Sequence, residues 1–286
     1  MRRSRNLPSP MHAFKLSLVA ALSAFGLIGF STVSFAANAG TDDASQAAYS
    51  GSQWLNGSDG EATGDAFLAW NLVPTSGTGF AGFFLGDSTN LNSPGANINV
   101  SGASWGMYAN GDPNATATAQ RMFTADGSTV SGLDIGQTFS IAIAVNYRNG
   151  LKGINLLDSG GVHLFTLQIA SDAYTVYEAA TGDGNLPNQV YDSNTAFDLS
   201  FTQTTGSSGT WSVTRTGGQS DFDSGTYAGV AAGFKLYTQG TGNTASDDFY
   251  ANSLVVTQVP EASSVGLLVS GAGALLILRR RRSLRP

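Results

Sequence analysis

The sequence predicts an all-β protein whose main domain is an antiparallel β-sandwich. Residues 138–146 alternate apolar and polar side chains with a period of two, which is typical of a strand with one buried face. Turn sequences such as Arg148-Asn149-Gly150 follow this strand and separate it from the next. No stretch of residues 37–258 shows a convincing helical period, so strands rather than helices are expected to form the core.

Further short apolar runs follow one another along residues 49–258 and are separated by clusters of Gly, Asn, Asp and Ser. Spacings of about 8–12 residues between such runs indicate a sandwich or a barrel. Residues 37–48 are small and polar and are predicted to be a flexible leader. The predicted strands are 67–73, 79–85, 104–109, 120–124, 138–146, 154–157, 162–170, 174–179, 196–202, 210–216, 230–237 and 249–257.

The first 36 residues are predicted to be a secretory signal peptide. A basic region that ends at Lys15 precedes the apolar run 16–30. Small residues then stand at Ser34 and Ala36, the positions that signal peptidase reads. Cleavage is therefore expected between Ala36 and Ala37.

The C-terminal tail, residues 259–286, predicts a transmembrane helix with a cytoplasmic end. Its apolar segment, residues 262–278, has no charged side chain. As a helix this segment would be about 26 Å long, the lower limit for crossing a hydrocarbon core of about 30 Å. Basic residues remain in the cytoplasm, so the chain before the helix is expected outside. The tail begins with Val259, Pro260 and Glu261, and the basic block directly after the apolar segment is Arg279, Arg280, Arg281 and Arg282.

This tail resembles the PEP-CTERM sorting signal of exported bacterial proteins. The resemblance rests on Pro260-Glu261, the apolar helix and the arginine cluster, and Ala262 stands where the family has its second proline. It implies export from a Gram-negative cell, often one that makes exopolysaccharide, and removal of the tail by an exosortase-type membrane protease. The protein would be anchored transiently in the inner membrane. It would then reach the outer membrane, the cell surface or the extracellular matrix.

The composition of residues 37–258 limits the possible partners and chemistry. Of the 20 acidic side chains in the full chain, only Glu261 lies outside this segment, which leaves 19. With five basic side chains, the net charge of the segment is −14. Nucleic acid is not an expected partner, since phosphate binding requires a basic face. The chain has no cysteine, which excludes thiol chemistry and disulfides and leaves stability to the hydrophobic core.

The closing segments of the domain resemble the last strands of a concanavalin-like, or laminin-G-like, jelly roll. They run Ala232-Gly233-Phe234-Lys235-Leu236-Tyr237 and Asp247-Asp248-Phe249-Tyr250-Ala251-Asn252. The resemblance implies a jelly-roll sandwich of a kind that often carries glycosidases. An immunoglobulin-like or solenoid β-fold remains the alternative, although no repeat of fixed period is present.

The sequence offers few groups for catalysis. The only glutamates of the domain are Glu61 and Glu178, and the carboxylate pattern of laminarinase-like glycosidases is absent. A lyase would need a base and a cation, and His163 is the only histidine of residues 37–258. His163 falls on the same predicted strand face as Phe165, so it is interpreted as a core or strand-end residue.

Calcium is the one metal that the sequence suggests, and no cofactor is otherwise predicted. Calcium prefers six to eight oxygen ligands from loops. The oxygen-rich pairs that fit this preference also fit ordinary turns, and turns are the favoured interpretation. These pairs are Asp221-Phe222-Asp223, Asp183-Gly184-Asn185 and Asp247-Asp248.

The favoured function is therefore non-enzymatic: a surface- or matrix-associated protein that binds carbohydrate or exopolysaccharide. The predicted binding surface contains Trp105, Tyr108 and Tyr237, whose aromatic faces would stack on sugar rings. Lys235 and Gln239 share a strand face with Tyr237 and are interpreted either as sugar ligands or as a solvated face. The alternatives are a polysaccharide lyase or glycosidase on a concanavalin-like fold, and a purely structural surface protein.

Overall fold

The structure, a computed structural model, describes residues 39–49, 51, 53–91, 96–178 and 184–257. The predicted signal peptide, residues 1–36, and the tail 259–286 with its helix 262–278 lie outside the described residues. Within the described residues, no helix has the length and apolar character needed to cross a membrane.

The described residues form strands joined by turns and three short 3₁₀ helices, Ala47–Tyr49, Ser88–Leu91 and Ala245–Asp247. Most of these strands coincide with the predicted ones. In chain order they are β1 (Gly40–Asp42), β2 (Thr63–Gly64), β3 (Asn71–Thr75), β4 (Phe80–Gly86), β5 (Ser104–Asn110), β6 (Thr116–Met122), β7 (Thr138–Val145), β8 (Leu151–Leu157), β9 (His163–Ala170), β10 (Ala173–Glu178), β11 (Gly184–Asn185), β12 (Thr195–Thr205), β13 (Ser208–Thr216), β14 (Asp221–Ala228), β15 (Gly233–Gln239) and β16 (Phe249–Val256).

These strands form two antiparallel sheets, which confirms the predicted all-β antiparallel class. The seven-stranded sheet has the order β11-β10-β9-β8-β15-β6-β3. The nine-stranded sheet has the order β14-β13-β12-β7-β16-β1-β2, and β5 pairs with β16 while β4 pairs with β5. Strand β15 comes late in the chain, yet it lies between β8 and β6.

The hydrophobic core lies between the two sheets and makes the fold a sandwich. Phe139 of β7 stacks on Phe234 of β15, with ring centroids 4.8 Å apart, and so joins the two inner faces. The rings of Phe165 on β9 and Phe201 on β12 lie 5.1 Å apart, edge to face, and this contact also joins the two sheets. Burying a phenylalanine side chain contributes about 1.5–3 kcal/mol, so this aromatic layer is a large part of the stabilisation.

Residues 37–48, predicted to be a flexible leader, are instead part of the sandwich from Gly40 onward, and that prediction is wrong. Strand β1 pairs with both β16 and β2. Asp42 is buried and forms an ion pair with the buried guanidinium of Arg121 on β6. Tyr49 donates a 2.5 Å hydrogen bond to the same carboxylate, and Trp70 donates to the Tyr49 hydroxyl at 2.9 Å.

Strand β14 was not predicted from the sequence. It is the edge of the nine-stranded sheet, and Phe222 on it is exposed. Edge strands often carry polar and charged residues, which prevent pairing with other chains. Asp221 and Asp223 are charged residues of this kind. In the sequence they were interpreted as part of a loop, whereas the structure places them on β14.

Candidate functional site

An open groove of about 620 Å³ lies on the outer face of the seven-stranded sheet. Its walls are side chains that alternate with core residues along five neighbouring strands. On β15, for example, Lys235, Tyr237 and Gln239 point outward, whereas Phe234 and Leu236 are buried. The outward side chains that line the groove are Thr118, Leu151, Asn155, His163, Thr166, Gln168, Tyr177, Lys235, Tyr237 and Gln239, and Phe165 and Glu178 of the inner-facing row also border it.

The register of the sheet arranges these side chains in rows that cross the strands. Paired residues in antiparallel strands project from the same face, so each row is continuous. One row contains Tyr177, Thr166, Asn155, Lys235, Gln120 and Asn71. The next row contains Thr175, Gln168, Gly153, Tyr237, Thr118 and Val73.

His163 lies in the groove at the start of β9, so the strand-end alternative is correct and the core alternative, on the face of Phe165, is wrong. Leu156 pairs with Phe165 and Leu157 pairs with His163, which leaves Leu164 as an extra residue on β9. This irregularity is a β-bulge, and it reverses the face of the residue before it. As a result Leu164 is buried and His163 is exposed.

Lys235 and His163 form the most polar contact in the groove. The Lys235 Nζ lies 3.3 Å from the His163 Nε2. Because a lysine ammonium can only donate, the Nε2 must accept and the imidazole must be neutral. Partial burial, together with the Lys235 charge, lowers the pKa of His163 and stabilises this neutral form.

Tyr237 occupies the middle of the groove because its strand partner is a glycine. Gly153 pairs with Tyr237, and a Cβ at Gly153 would lie 2.8 Å from the Tyr237 hydroxyl. The same Cβ would overlap the Leu167 carbonyl oxygen, so no larger residue fits. Burial, and to a lesser extent Tyr177, raises the pKa of Tyr237 well above its ordinary value, so its hydroxyl stays protonated.

Neighbouring polar side chains are held by hydrogen bonds within the groove. The Thr166 Oγ1 donates to the Asn155 Oδ1 at 2.7 Å, and the Gln168 Nε2 donates to the Tyr177 hydroxyl at 3.3 Å. The Gln239 Nε2 donates to the Pro113 carbonyl at 3.1 Å. These contacts preorganise the donors and acceptors that a ligand would meet.

Trp105, the predicted stacking residue, is fully buried, and its assignment to a surface is wrong. Its ring lies 5.3 Å from that of Trp70 and 5.5 Å from that of Tyr49, both edge to face. On β5 it belongs to the inner face with Met107 and Ala109, while Gly106 and Tyr108 project outward. A residue inside the core cannot stack on a sugar.

Tyr108 and Tyr237, the two other predicted binding residues, lie on different sheets. Tyr108 is on β5 of the nine-stranded sheet, and its ring lies 6.2 Å from that of Phe84. Tyr237 is on β15 of the seven-stranded sheet. The structure therefore does not bring Trp105, Tyr108 and Tyr237 together in one surface.

The oxygen-rich pairs considered for calcium are engaged in the fold. The Asp247 Oδ2 accepts hydrogen bonds from Thr244, and its Oδ1 accepts one from Asn149 at 2.6 Å. The Asp221 Oδ2 accepts from the Asn188 backbone at 2.6 Å. Asp183 lies outside the described residues. Within the described ranges, no three His, Asp or Glu side chains form a group that could hold a metal ion.

Several groove residues were missed from the sequence, among them Asn155, Thr166, Gln168 and Tyr177. Thr166 and Gln168 alternate with Phe165 and Leu167 in a predicted strand, so their outward direction could have been found. Their common location could not, because it depends on β15 inserting between β8 and β6.

Comparisons with known proteins assign no family to the chain. No family model and no curated protein matches it. An alginate lyase from Corynebacterium sp. is 16% identical, with 58% of this chain and 82% of that chain covered and a TM-score of 0.38. The CBM2 module of the evolved Dit of Lactobacillus casei BL23 phage J-1 is 11% identical, with 78% and 99% covered and a TM-score of 0.41. Likenesses at this level transfer neither ligand nor activity to this chain.

Proposed function

We propose that this protein is an exported, surface- or matrix-associated β-sandwich that binds an acidic polysaccharide in the groove of its seven-stranded sheet. One observation supports this most strongly. Among the described residues, the basic side chains Arg121, Arg148, Lys152 and Arg215 are all buried. Lys235 is the one accessible cation of that part of the chain, and it lies in the groove.

The shape of the polar surface suits an extended chain. Neighbouring strands lie about 4.8 Å apart, so a row of side chains over six strands extends for about 24 Å. A glycan lying along such a row would meet amides, hydroxyls and the ring of Tyr237. Sugar hydroxyls both donate and accept, as these side chains do.

The positive charge of Lys235 favours a glycan that carries a carboxylate at that position. The surrounding domain is strongly acidic, so a polyanion would be repelled except where Lys235 stands. A carboxylate on the sugar would pair with the Lys235 ammonium and displace the weaker contact to His163. The proposed C-terminal sorting tail, with its resemblance to PEP-CTERM signals, would deliver such a protein to an exopolysaccharide matrix.

The test is affinity electrophoresis of the exported protein through gels that contain alginate, with polysaccharide-free gels as the mobility reference. The wild-type protein should be retarded, and both Lys235→Gln and Tyr237→Ala should lose most of this retardation. Phe222→Ala, which removes an exposed ring on β14 of the other sheet, should migrate like wild type. Equal retardation of all four proteins, or none of the wild type, would contradict the proposal and support a purely structural role.

A second candidate, an acidic-polysaccharide lyase, is supported by the contact between His163 and Lys235. Elimination from a uronate requires a base, a group that neutralises the carboxylate and an acid for the leaving oxygen. Neutral His163 could take the proton, Lys235 could neutralise the carboxylate, and protonated Tyr237 could supply the acid. A glycosidase is less favoured, because that reaction uses two carboxylates and the one that borders the groove among the described residues, Glu178, lies on the inner-facing row beside Phe165.

Product formation distinguishes the lyase from a binding protein. A lyase creates an unsaturated uronate with ultraviolet absorbance, and this signal should grow with wild-type protein and disappear in His163→Ala. A protein that binds alginate without producing this absorbance is a binding module.

A further inference from the structure

We propose that a second sugar-binding site, for a neutral sugar, lies on the outer face of the nine-stranded sheet around Phe80 and Tyr108. This region is an open cavity of about 540 Å³ at the end of the β4–β5 hairpin. Its side-chain walls are Thr78, Phe80, Tyr108, Asn110 and Asn243. It is separate from the groove, which belongs to the other sheet.

Two aromatic rings are available in this cavity. Phe80 is 72% exposed, the most of any large hydrophobic residue in the described part of the chain. It begins the edge strand β4, so it has a neighbouring strand on one side, where it pairs with Asn110. Tyr108 pairs with Gly82, and a Cβ at Gly82 would lie 2.6 Å from the Tyr108 hydroxyl. Because Gly82 has no side chain, the Tyr108 ring has room to lie against strand β4.

Polar side chains next to these rings keep unused hydrogen-bonding atoms within the described residues. The Tyr108 hydroxyl and the Asn243 side chain make no hydrogen bond there, and the Asn110 Oδ1 accepts one from the Thr241 Oγ1 at 3.3 Å. The Asn110 amide nitrogen remains available as a donor. An amide can donate to one sugar hydroxyl and accept from its neighbour, while a ring stacks on the apolar face of the sugar.

The walls of the cavity are fixed by hydrogen bonds before any ligand binds. The Asp112 Oδ2 accepts from the Thr78 backbone and from its Oγ1, both at 2.7 Å. The Asp112 Oδ1 accepts from the Asn114 backbone at 2.8 Å, and these bonds lower the pKa of Asp112 to about 2. Thr241 donates from its backbone to the Ala109 carbonyl at 2.8 Å. A rigid site binds with a smaller loss of conformational entropy.

The charge of this site differs from that of the groove. None of the residues that line the cavity is basic. Asp112, ionised at neutral pH, lies directly behind Thr78. An acidic sugar would therefore be repelled, and a neutral sugar is the ligand that the site fits.

The two sites together would make the protein bivalent, a step that rests on the proposed function of the groove. The outer faces of the two sheets in a sandwich point in opposite directions. One molecule would then hold an acidic chain on one side and a neutral chain on the other. Such a protein would link two polysaccharides of a matrix.

Affinity electrophoresis of the exported protein through gels containing hydroxyethylcellulose, laminarin or galactomannan tests the second site. Wild type should be retarded by at least one of these neutral polysaccharides, and Phe80→Ala should weaken that binding about tenfold. Tyr237→Ala and the matched exposed-ring variant Phe222→Ala should bind the neutral polysaccharide like wild type. An unchanged melting temperature of Phe80→Ala would show that the loss is not caused by unfolding.

Either of two results would overturn the second site: no retardation of wild type by any of the three neutral polysaccharides, or loss in Tyr237→Ala without loss in Phe80→Ala. Neither result depends on alginate binding, so failure here and failure of the groove proposal are distinguishable. For bivalency, beads that carry the retarding neutral polysaccharide should capture soluble alginate only when wild-type protein is added. Capture that persists in Phe80→Ala would refute the bridging role.

Discussion

Replacing Arg121 by alanine should destabilise the sandwich more than any exposed substitution, because Arg121 fastens the N-terminal segment to the sheet. Its guanidinium is fully buried and forms ion pairs with Asp42 and Asp59. Its Nε donates to the Leu68 carbonyl at 2.6 Å, and its Cζ lies 5.3 Å from the centre of the Trp70 ring. Alanine would remove all of these contacts at once.

The expected loss is about 3–5 kcal/mol in the free energy of unfolding, the usual cost of leaving one partner of a buried ion pair behind. Asp42 is fully buried and would keep a single donor, the Tyr49 hydroxyl. The Asp59 side chain is 47% exposed and can be solvated by water, so it adds little to the loss. For a domain of this size the loss corresponds to about 6–20 °C in the melting temperature.

Urea unfolding followed by far-ultraviolet circular dichroism measures this loss in wild type, Arg121→Ala and Asp42→Asn. The double variant should be destabilised by less than the sum of the two single variants, because each removes the same ion pair. Lys235→Ala is the control for removal of an accessible cation and should change stability by less than about 0.5 kcal/mol. A loss below about 1 kcal/mol in Arg121→Ala would refute the conclusion that Arg121 holds the N-terminal segment to the sheet.

Three further outcomes are expected. Trp105→Ala should cost about 3–5 kcal/mol in urea unfolding, because the ring is buried; a near-neutral effect would place it at the surface. Burial, opposed in part by Lys152, raises the pKa of Asp248 from about 4 to about 7. Since the folded state holds this proton more tightly, stability should fall by up to about 4 kcal/mol as pH rises from about 4 to 7, and Asp248→Asn should remove that slope. N-terminal sequencing and intact mass of the exported protein should show a start near Ala37 and an end near Pro260; retained Arg279–Arg282 would contradict processing.

The positions of the strands could be predicted because alternation is a local property. Strand β7 alternates in sequence and is found at nearly its predicted limits. Strand β1 could not be found in this way, since its three residues become a strand only through pairing with β16 at the far end of the domain. The order of strands likewise depends on long-range pairing, which no single segment encodes.

The candidate site was harder to predict because it depends on single-residue details of direction. Gly102 and Gly106 on either side of Trp105 indicated a loop, yet β5 alternates and places Trp105 on the inner face with Met107. Counting back from Phe165 put His163 on the core face, as a core or strand-end residue, and one bulged residue, Leu164, reverses that count. Such irregularities are fixed by strand pairing and are invisible in the local pattern.

The same alternation separates the core residues, which stabilise the fold, from the outward residues, which line the groove. On β15, Phe234 and Leu236 belong to the core, whereas Lys235 and Tyr237 between them face the groove. Substitutions at the outward positions are expected to leave core packing intact, so the lining of the groove can change without changing the fold. His163 is different, because its place beside Lys235 depends on the bulge in β9 as well as on its own side chain. The contact between His163 and Lys235 therefore depends on the strand register of β9 as well as on the chemistry of the two side chains.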